Sequence, residues 1–139
     1  MEARLWNIGC KIADVEAEIA FYVGLGGRLM LHEKLETPDG EAEYAIVLFG
    51  GTRLFLTPKP IFEDRLEAER QPGLTHAVFE VEALEKEAAR LVAGGAEMLI
   101  PPTDIGAGFG RRRIAFFRSP GGLVFEVMQI QESTAAVEV

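Results

Sequence analysis

The 139-residue chain runs through one pattern of elements twice, and this internal repeat restricts its fold more than any other feature. Residues 4–12 (RLWNIGCKI) are a short apolar-rich run, followed by Asp14 and then by Val15, Ile19, Tyr22 and Val23 at helical spacing. A strand and then a helix are predicted. Asp14 is placed to accept from the free amides of the first turn, and Gly24, Gly26 and Gly27 mark the exit. Residues 28–36 alternate as a strand, Thr37-Pro38-Asp39-Gly40 is turn chemistry, residues 42–49 are apolar, Gly50-Gly51 turns, and residues 52–57 close the unit. The order is βαβββ.

After a polar connection at residues 58–72, the second half repeats that order. It has a strand at 74–81, a helix at 84–93, Gly94-Gly95, a strand at 97–100, a Gly-rich loop at 105–110, a strand at 111–117 and a last strand at 123–130. Ser119-Pro120-Gly121-Gly122 joins the last two, and Pro120-Gly121 suits a type II turn. Residues 131–139 read as a frayed tail. Equivalent strand starts, Asn7 and His76, lie 76 − 7 = 69 apart, and equivalent strand ends, Phe55 and Glu126, lie 126 − 55 = 71 apart. One domain over residues 1–139 follows, with modules at 1–57 and 73–130 and a linker at 58–72. The fold class is α+β: two βαβββ modules whose curled mixed sheets carry a helix on each outer face and enclose a central cavity between their inner faces.

Net charge is −8 and the basic residues are scattered except for Arg111, Arg112 and Arg113, which argues against a nucleic-acid or anionic-membrane surface. No apolar stretch approaches the roughly 20 residues that span a bilayer. The one cysteine, Cys10, has no internal partner, and MEARLWNIG lacks the basic and apolar regions of a secretion signal, so cytoplasmic residence is expected.

The motifs Asn7-Ile8-Gly9-Cys10-Lys11-Ile12-Ala13-Asp14, Ala20-Phe21-Tyr22-Val23-Gly24-Leu25-Gly26-Gly27 and Ala115-Phe116-Phe117-Arg118-Ser119-Pro120-Gly121-Gly122-Leu123-Val124-Phe125-Glu126-Val127 together resemble the opening and closing signatures of the glyoxalase / bleomycin-resistance / dioxygenase (vicinal-oxygen-chelate) superfamily. The likeness covers nearly the whole chain. It implies a duplicated fold around a small-molecule cavity, and a divalent metal (Mg, Mn, Fe, Ni or Zn) held by residues on the first and last strands of each module. Carried over position by position, these are Asn7 where histidine is common, Phe55 where a carboxylate or amide stands, and His76 and Glu126 where histidine and glutamate are expected. A homodimer is expected too, with the modules pairing either within one chain or across two.

Strand alternation supports part of this placement. Trp6, Ile8, Cys10 and Ile12 should pack under the first helix, turning Asn7, Gly9 and Lys11 to the cavity; His76, Val78 and Glu80 should face it from the second module. Leu123, Phe125 and Val127 go to the core, and Glu126 turns inward, where a carboxylate needs a partner: a metal, His76, an arginine or water. His76 and Glu126 are thus candidates both for catalysis and, with Asn7, for metal ligation. A catalytic metal wants about three protein ligands and an open position. Asn7 supplies a third only through its amide oxygen, which suits Mg or Mn better than Zn, and Phe55 supplies none. The competing reading has His76 bonded to Glu126 with no metal, and Asn7 satisfied by backbone.

Arg111 and Arg113 are candidates to fork onto a ligand carboxylate or phosphate, and Phe109 tips a loop that either covers the cavity or merely connects strands. Asn7 and Phe55 join them as substrate-binding candidates. Lys11 and Glu80 are expected to pair across the pseudo-twofold, and His32 to be an exposed polar residue. No nucleophile–base arrangement emerges. Two functions remain: metal-dependent lyase, isomerase or dioxygenase chemistry, or metal-free binding of a drug-like or aromatic molecule. Phe55 discriminates between them, since pointing into the cavity it removes a ligand and adds a stacking surface.

Overall fold

The computed structural model describes residues 2–37 and 40–139; the expected turn residues Pro38 and Asp39 lie outside that range. The first module comprises β1 (Arg4–Lys11), α1 (Val15–Gly24), β2 (Arg28–Thr37), β3 (Gly40–Phe49) and β4 (Thr52–Thr57). The second comprises β5 (Gly73–Glu80), α2 (Leu84–Ala93), β6 (Glu97–Ala107), β7 (Gly110–Arg118) and β8 (Val124–Ser133). The strands form one mixed eight-stranded sheet in the order β2-β3-β4-β1-β5-β8-β7-β6. Antiparallel pairing of β1 with β5 joins the modules edge to edge within one chain.

Local chemistry explains the element ends. The Asp14 side chain accepts from the Ala17 amide at 3.1 Å and caps α1. Ala83 cannot cap α2, and the Leu84 amide donates instead to Gln129 Oε1 on β8 at 2.9 Å. Gly50 and Gly51 both take positive φ (61° and 76°), the backbone a two-residue type I′ hairpin requires, and they join β3 to β4. The turn after β7 differs from expectation. The Gly122 amide donates to the Ser119 carbonyl, but the positive φ falls at Gly122 and not at Gly121. Proline followed by an ordinary φ makes this type I, with glycine in the fourth position.

Each helix covers one face of its module. Val15, Ile19 and Tyr22 pack on Cys10, Ala45, Val47 and Leu56, while Leu84 and Ala88 pack on Ala115, Phe117 and Val127. Leu123, expected in the core, is exposed beside the turn, ahead of the first paired residue of β8. The tail is docked, not frayed: β8 runs to Ser133, and a 3-10 turn at Ala135–Val137 brings Val137 to 1 % exposure, where its carbonyl accepts from Arg53 Nε at 2.9 Å. The linker is also part of the core, since Phe62 is fully buried against Val78, Ile114 and Phe116.

Candidate functional site

The opposite faces of the strands line a chamber of about 60 Å³. Leu35, Thr57, Ile61 and Ile114 form walls common to it and to an outer vestibule of about 460 Å³. Two rows of paired residues build the floor. One runs Ile46, Phe55, Gly9, His76 across β3, β4, β1 and β5. The other runs Arg53, Asn7, Val78, Glu126, Phe116 across β4, β1, β5, β8 and β7. Gly9 therefore opposes both Phe55 and His76, and Val78 opposes Glu126, which is the correspondence that equates Phe55 with Glu126 and Asn7 with His76.

Asn7, Phe55, His76, Phe109 and Glu126 all line the chamber, so five of the seven residues singled out in the sequence converge there. His76 Nε2 lies 3.6 Å from Glu126 Oε1, both side chains being almost wholly buried, while Nδ1 sits 3.0 Å from Thr75 Oγ1. Gly9 makes room for this ring. A Cβ at position 9 would meet His76 Cε1 at 2.1 Å, far inside contact distance. Phe62 and Phe116 hold the imidazole at ring-centroid distances of 5.0 and 5.4 Å.

Phe55 faces inward and stacks on Tyr44, with centroids 4.9 Å apart and planes 8° apart. The Tyr44 hydroxyl donates to Glu33 Oε1; burial first, and that bond second, push its ionisation well above the usual range, so it stays protonated. The Gly108 amide donates to the same oxygen, and Thr134 Oγ1 donates to the Gly108 carbonyl at 2.6 Å. The bond to Glu33 fastens the β6–β7 tip of the second module onto the first, and the bond from Thr134 ties that tip to the segment after β8. Phe109 is 5 % exposed and packs beside Tyr44, which makes it part of the wall, and β6 continues to Ala107 where a loop was expected from Ile105.

Arg111 and Arg113 do not enter the chamber. Arg111 is exposed beside Glu132, and Arg113 bonds Glu85 of α2 and Asp104 on the outer face. Alternation along β7 sends Arg112 inward with Ile114 and Phe116, and it is 1 % exposed. Lys11 pairs with the buried Glu63 of the linker at 2.6 Å, while Glu80 lies 4.0 Å from Arg4, so the expected Lys11–Glu80 pair is absent. Trp6, expected under α1, lines the chamber beside Asn7: the β1–β5 register slips between Leu5 and Asn7, and this bulge turns two successive side chains to one face. His32 pairs with Glu43 at 2.6 Å, outside the chamber walls.

Of the chamber residues, Phe62 was missed by sequence reasoning, Arg112 was not singled out from the three successive arginines, and Tyr44 and Trp6 were read only as aromatic surface open to a ligand. Arg112 was legible in principle, because the apolar Ile114 and Phe116 fix its parity. The bulge that turns Trp6 and the docking of Phe62 leave no local signature.

The donor set can be weighed against a metal on its own chemistry. Two ligands at about 2.1 Å from one ion lie roughly 3.4 Å apart in tetrahedral geometry, close to the His76–Glu126 separation. Asn7 adds a neutral amide, Phe55 adds nothing, and among the described residues no group of three His, Cys, Asp or Glu converges. Such a set suits a weakly held, hard divalent ion.

The model of the Glyoxalase/Bleomycin resistance protein/Dioxygenase superfamily matches residues 10–127. No curated protein sequence matches the chain. Among solved structures, a hypothetical protein of Bacillus halodurans C-125 superposes with a TM-score of 0.73 at 22% identity, covering 96% of this chain and 99% of that one. Methylmalonyl-CoA epimerase of Mycobacterium tuberculosis gives 0.71 at 23% identity, covering 92% and 88%. A variant 4-hydroxymandelate synthase of Streptomyces coelicolor gives 0.69 at 18% identity, covering 96% of this chain and 50% of that one. At these identities the likeness speaks to the fold. Among the described residues, no helix is long and apolar enough to cross a membrane.

Proposed function

The chain belongs to the Glyoxalase/Bleomycin resistance protein/Dioxygenase superfamily, and from that premise we propose that it is a metal-free small-molecule-binding member, taking an apolar or aromatic ligand through the vestibule. The observation that carries this reading is the inward Phe55 stacked on Tyr44, at the position equivalent to Glu126. Where a fourth donor would stand, the chamber has a ring face. Asn7, His76 and Glu126 then act as the polar groups that orient the ligand, and Phe55 and Phe109 as its aromatic walls. Cytoplasmic residence and a homodimer belong to this proposal; the exposed apolar side chains Phe21, Leu25 and Leu29 offer a surface for a second copy.

The 3.6 Å between His76 and Glu126 favours a second reading, in which they and Asn7 hold a divalent ion. Such an ion would polarise vicinal oxygens of a substrate for lyase, isomerase or dioxygenase chemistry. Here Glu126 would have to serve as both ligand and base, because Phe55 leaves no other carboxylate on the last strand of the first module.

Binding of the neutral fluorophore N-phenyl-1-naphthylamine separates the two. With a chelator present, wild type should bind it saturably, and Phe55→Ala should bind it several-fold more weakly. Binding that disappears with chelator and returns with Mn²⁺ would overturn the metal-free reading in favour of the second.

A further inference from the structure

Arg112 is a buried cation that no carboxylate of the described residues pairs. Its neighbours Arg111 and Arg113 are both paired with carboxylates, but among the described residues no ion pair to Arg112 forms, although it is 1 % exposed. Neutral oxygens take most of its donors: Nη1 donates to the carbonyls of Glu132 at 2.6 Å and Arg111 at 3.2 Å, and Nη2 reaches Ser133 Oγ at 3.4 Å. Nε has no partner. Removing a guanidinium from water without a counter-charge, and leaving one donor empty, is costly unless something else completes the site.

The surroundings point to an anion. Arg112 lies 5.3 Å from the ring centroids of both Trp6 and Phe109, two walls of the chamber. Arg53 sits 4.1 Å from the Trp6 ring, adding positive potential nearby, and it too is held by carbonyls, those of Trp6 and Val137. Burial lowers the Arg112 pKa; Glu80 and Glu126 offset part of this, and Arg53 adds to it. Glu126 pairs with Phe116 and Arg112 with Ile130, so the two charged groups stand four residues apart along the β7–β8 ladder, roughly 13 Å between backbone levels. The Arg112 guanidinium and the His76–Glu126 pair therefore line one chamber from backbone levels offset along the β7–β8 ladder.

We propose that Arg112 is an anchor for a ligand carboxylate, so that the chamber takes a small organic acid whose apolar body lies along Trp6, Phe55 and Phe109 and whose far end meets His76 and Glu126. A carboxylate suits the guanidinium as a planar, charged acceptor able to take Nε and a neighbouring N–H together. The inference rests on the chamber being a binding site and adds the class of ligand.

Trp6 is the only tryptophan, so its emission reports events at Arg112. Butyrate and hexanoate are to be titrated beside butyramide and hexanamide, with fluorescence and thermal stabilisation as readouts. The acids should bind about ten- to a hundred-fold more tightly than the matched amides, and more weakly as salt rises. Arg112→Met should abolish the preference, Arg112→Lys should keep part of it, and Arg111→Met, on the exposed face, should leave it intact. Acid and amide binding equally to wild type would overturn the anchor while leaving the chamber a binding site, and this comparison stands even if Arg112→Met fails to fold. A preference that survives in folded Arg112→Met would overturn it as well. If the naphthylamine probe and both series fail to bind, the binding reading and the anchor fall together.

Discussion

The two βαβββ modules share an order of elements and differ in what they offer the cavity. The second places His76 and Glu126 on its first and last strands, 3.6 Å apart. The first places Asn7 and Phe55 at the equivalent positions, and Phe55 stacks on Tyr44. The helix caps differ too. Asp14, the residue just before α1, caps it, whereas α2 borrows Gln129 from β8, the last strand of its module. A repeat therefore preserves backbone topology, which many sequences satisfy, far more strictly than it preserves the polar positions that define chemistry. At these equivalent positions the first module contributes an amide and a ring face to the chamber, and the second an imidazole and a carboxylate.

The linker ought to belong energetically to the second module. Phe62 is fully buried beside His76 and Phe116, so Phe62→Ala should cost about 3–5 kcal/mol of stability in denaturant titration. A cost below about 1 kcal/mol would mean that the connection is only a tether. Gly9→Ala should cost about 1–3 kcal/mol, because the new methyl must displace the His76 ring or the strand that carries it. The sharper readout is the His76 imidazole resonance by NMR, which should move although the substitution lies in the other module. An unmoved resonance would break the proposed contact across β1 and β5.

A smaller effect separates the core of the first module from the chamber. Burial first, and Glu18 second, raise the Cys10 thiol to about 11. The unfolded thiol ionises near its ordinary value while the folded one stays protonated, so the unfolded state binds fewer protons between those values and stability falls as pH rises through that window. Tyr44, also raised, adds loss in the same direction at higher pH. Cys10→Ala should flatten the decline between about pH 9 and 11, measured by thermal unfolding across that range. An unchanged slope would contradict the assignment.

These contrasts also mark what the sequence could carry. The duplicated order, the Asp14 cap and the inward turn of His76 and Glu126 were legible because periodicity, capping chemistry and strand parity are local. Arg112 was obscured by its two arginine neighbours, and only the parity of Ile114 and Phe116 distinguishes the inward one. The inward turn of Trp6 could not be read, because the bulge at β1 depends on pairing with β5, where Asn7 meets Val78, 71 residues along the chain (78 − 7 = 71). The docking of Phe62, of the β6–β7 tip on Glu33 and of Val137 is likewise tertiary: each depends on a surface that exists only once the sheet has closed.

The asymmetry of the modules is tested most directly by restoring symmetry. The double variant Asn7→His/Phe55→Glu gives the first module the residues of the second, and its affinity for Mn²⁺ can be compared with wild type by isothermal titration calorimetry. The double variant should bind at least about ten-fold more tightly than wild type, as expected when two stronger donors complete the set. Equal or tighter stoichiometric binding by wild type, lost in His76→Ala, would contradict the account.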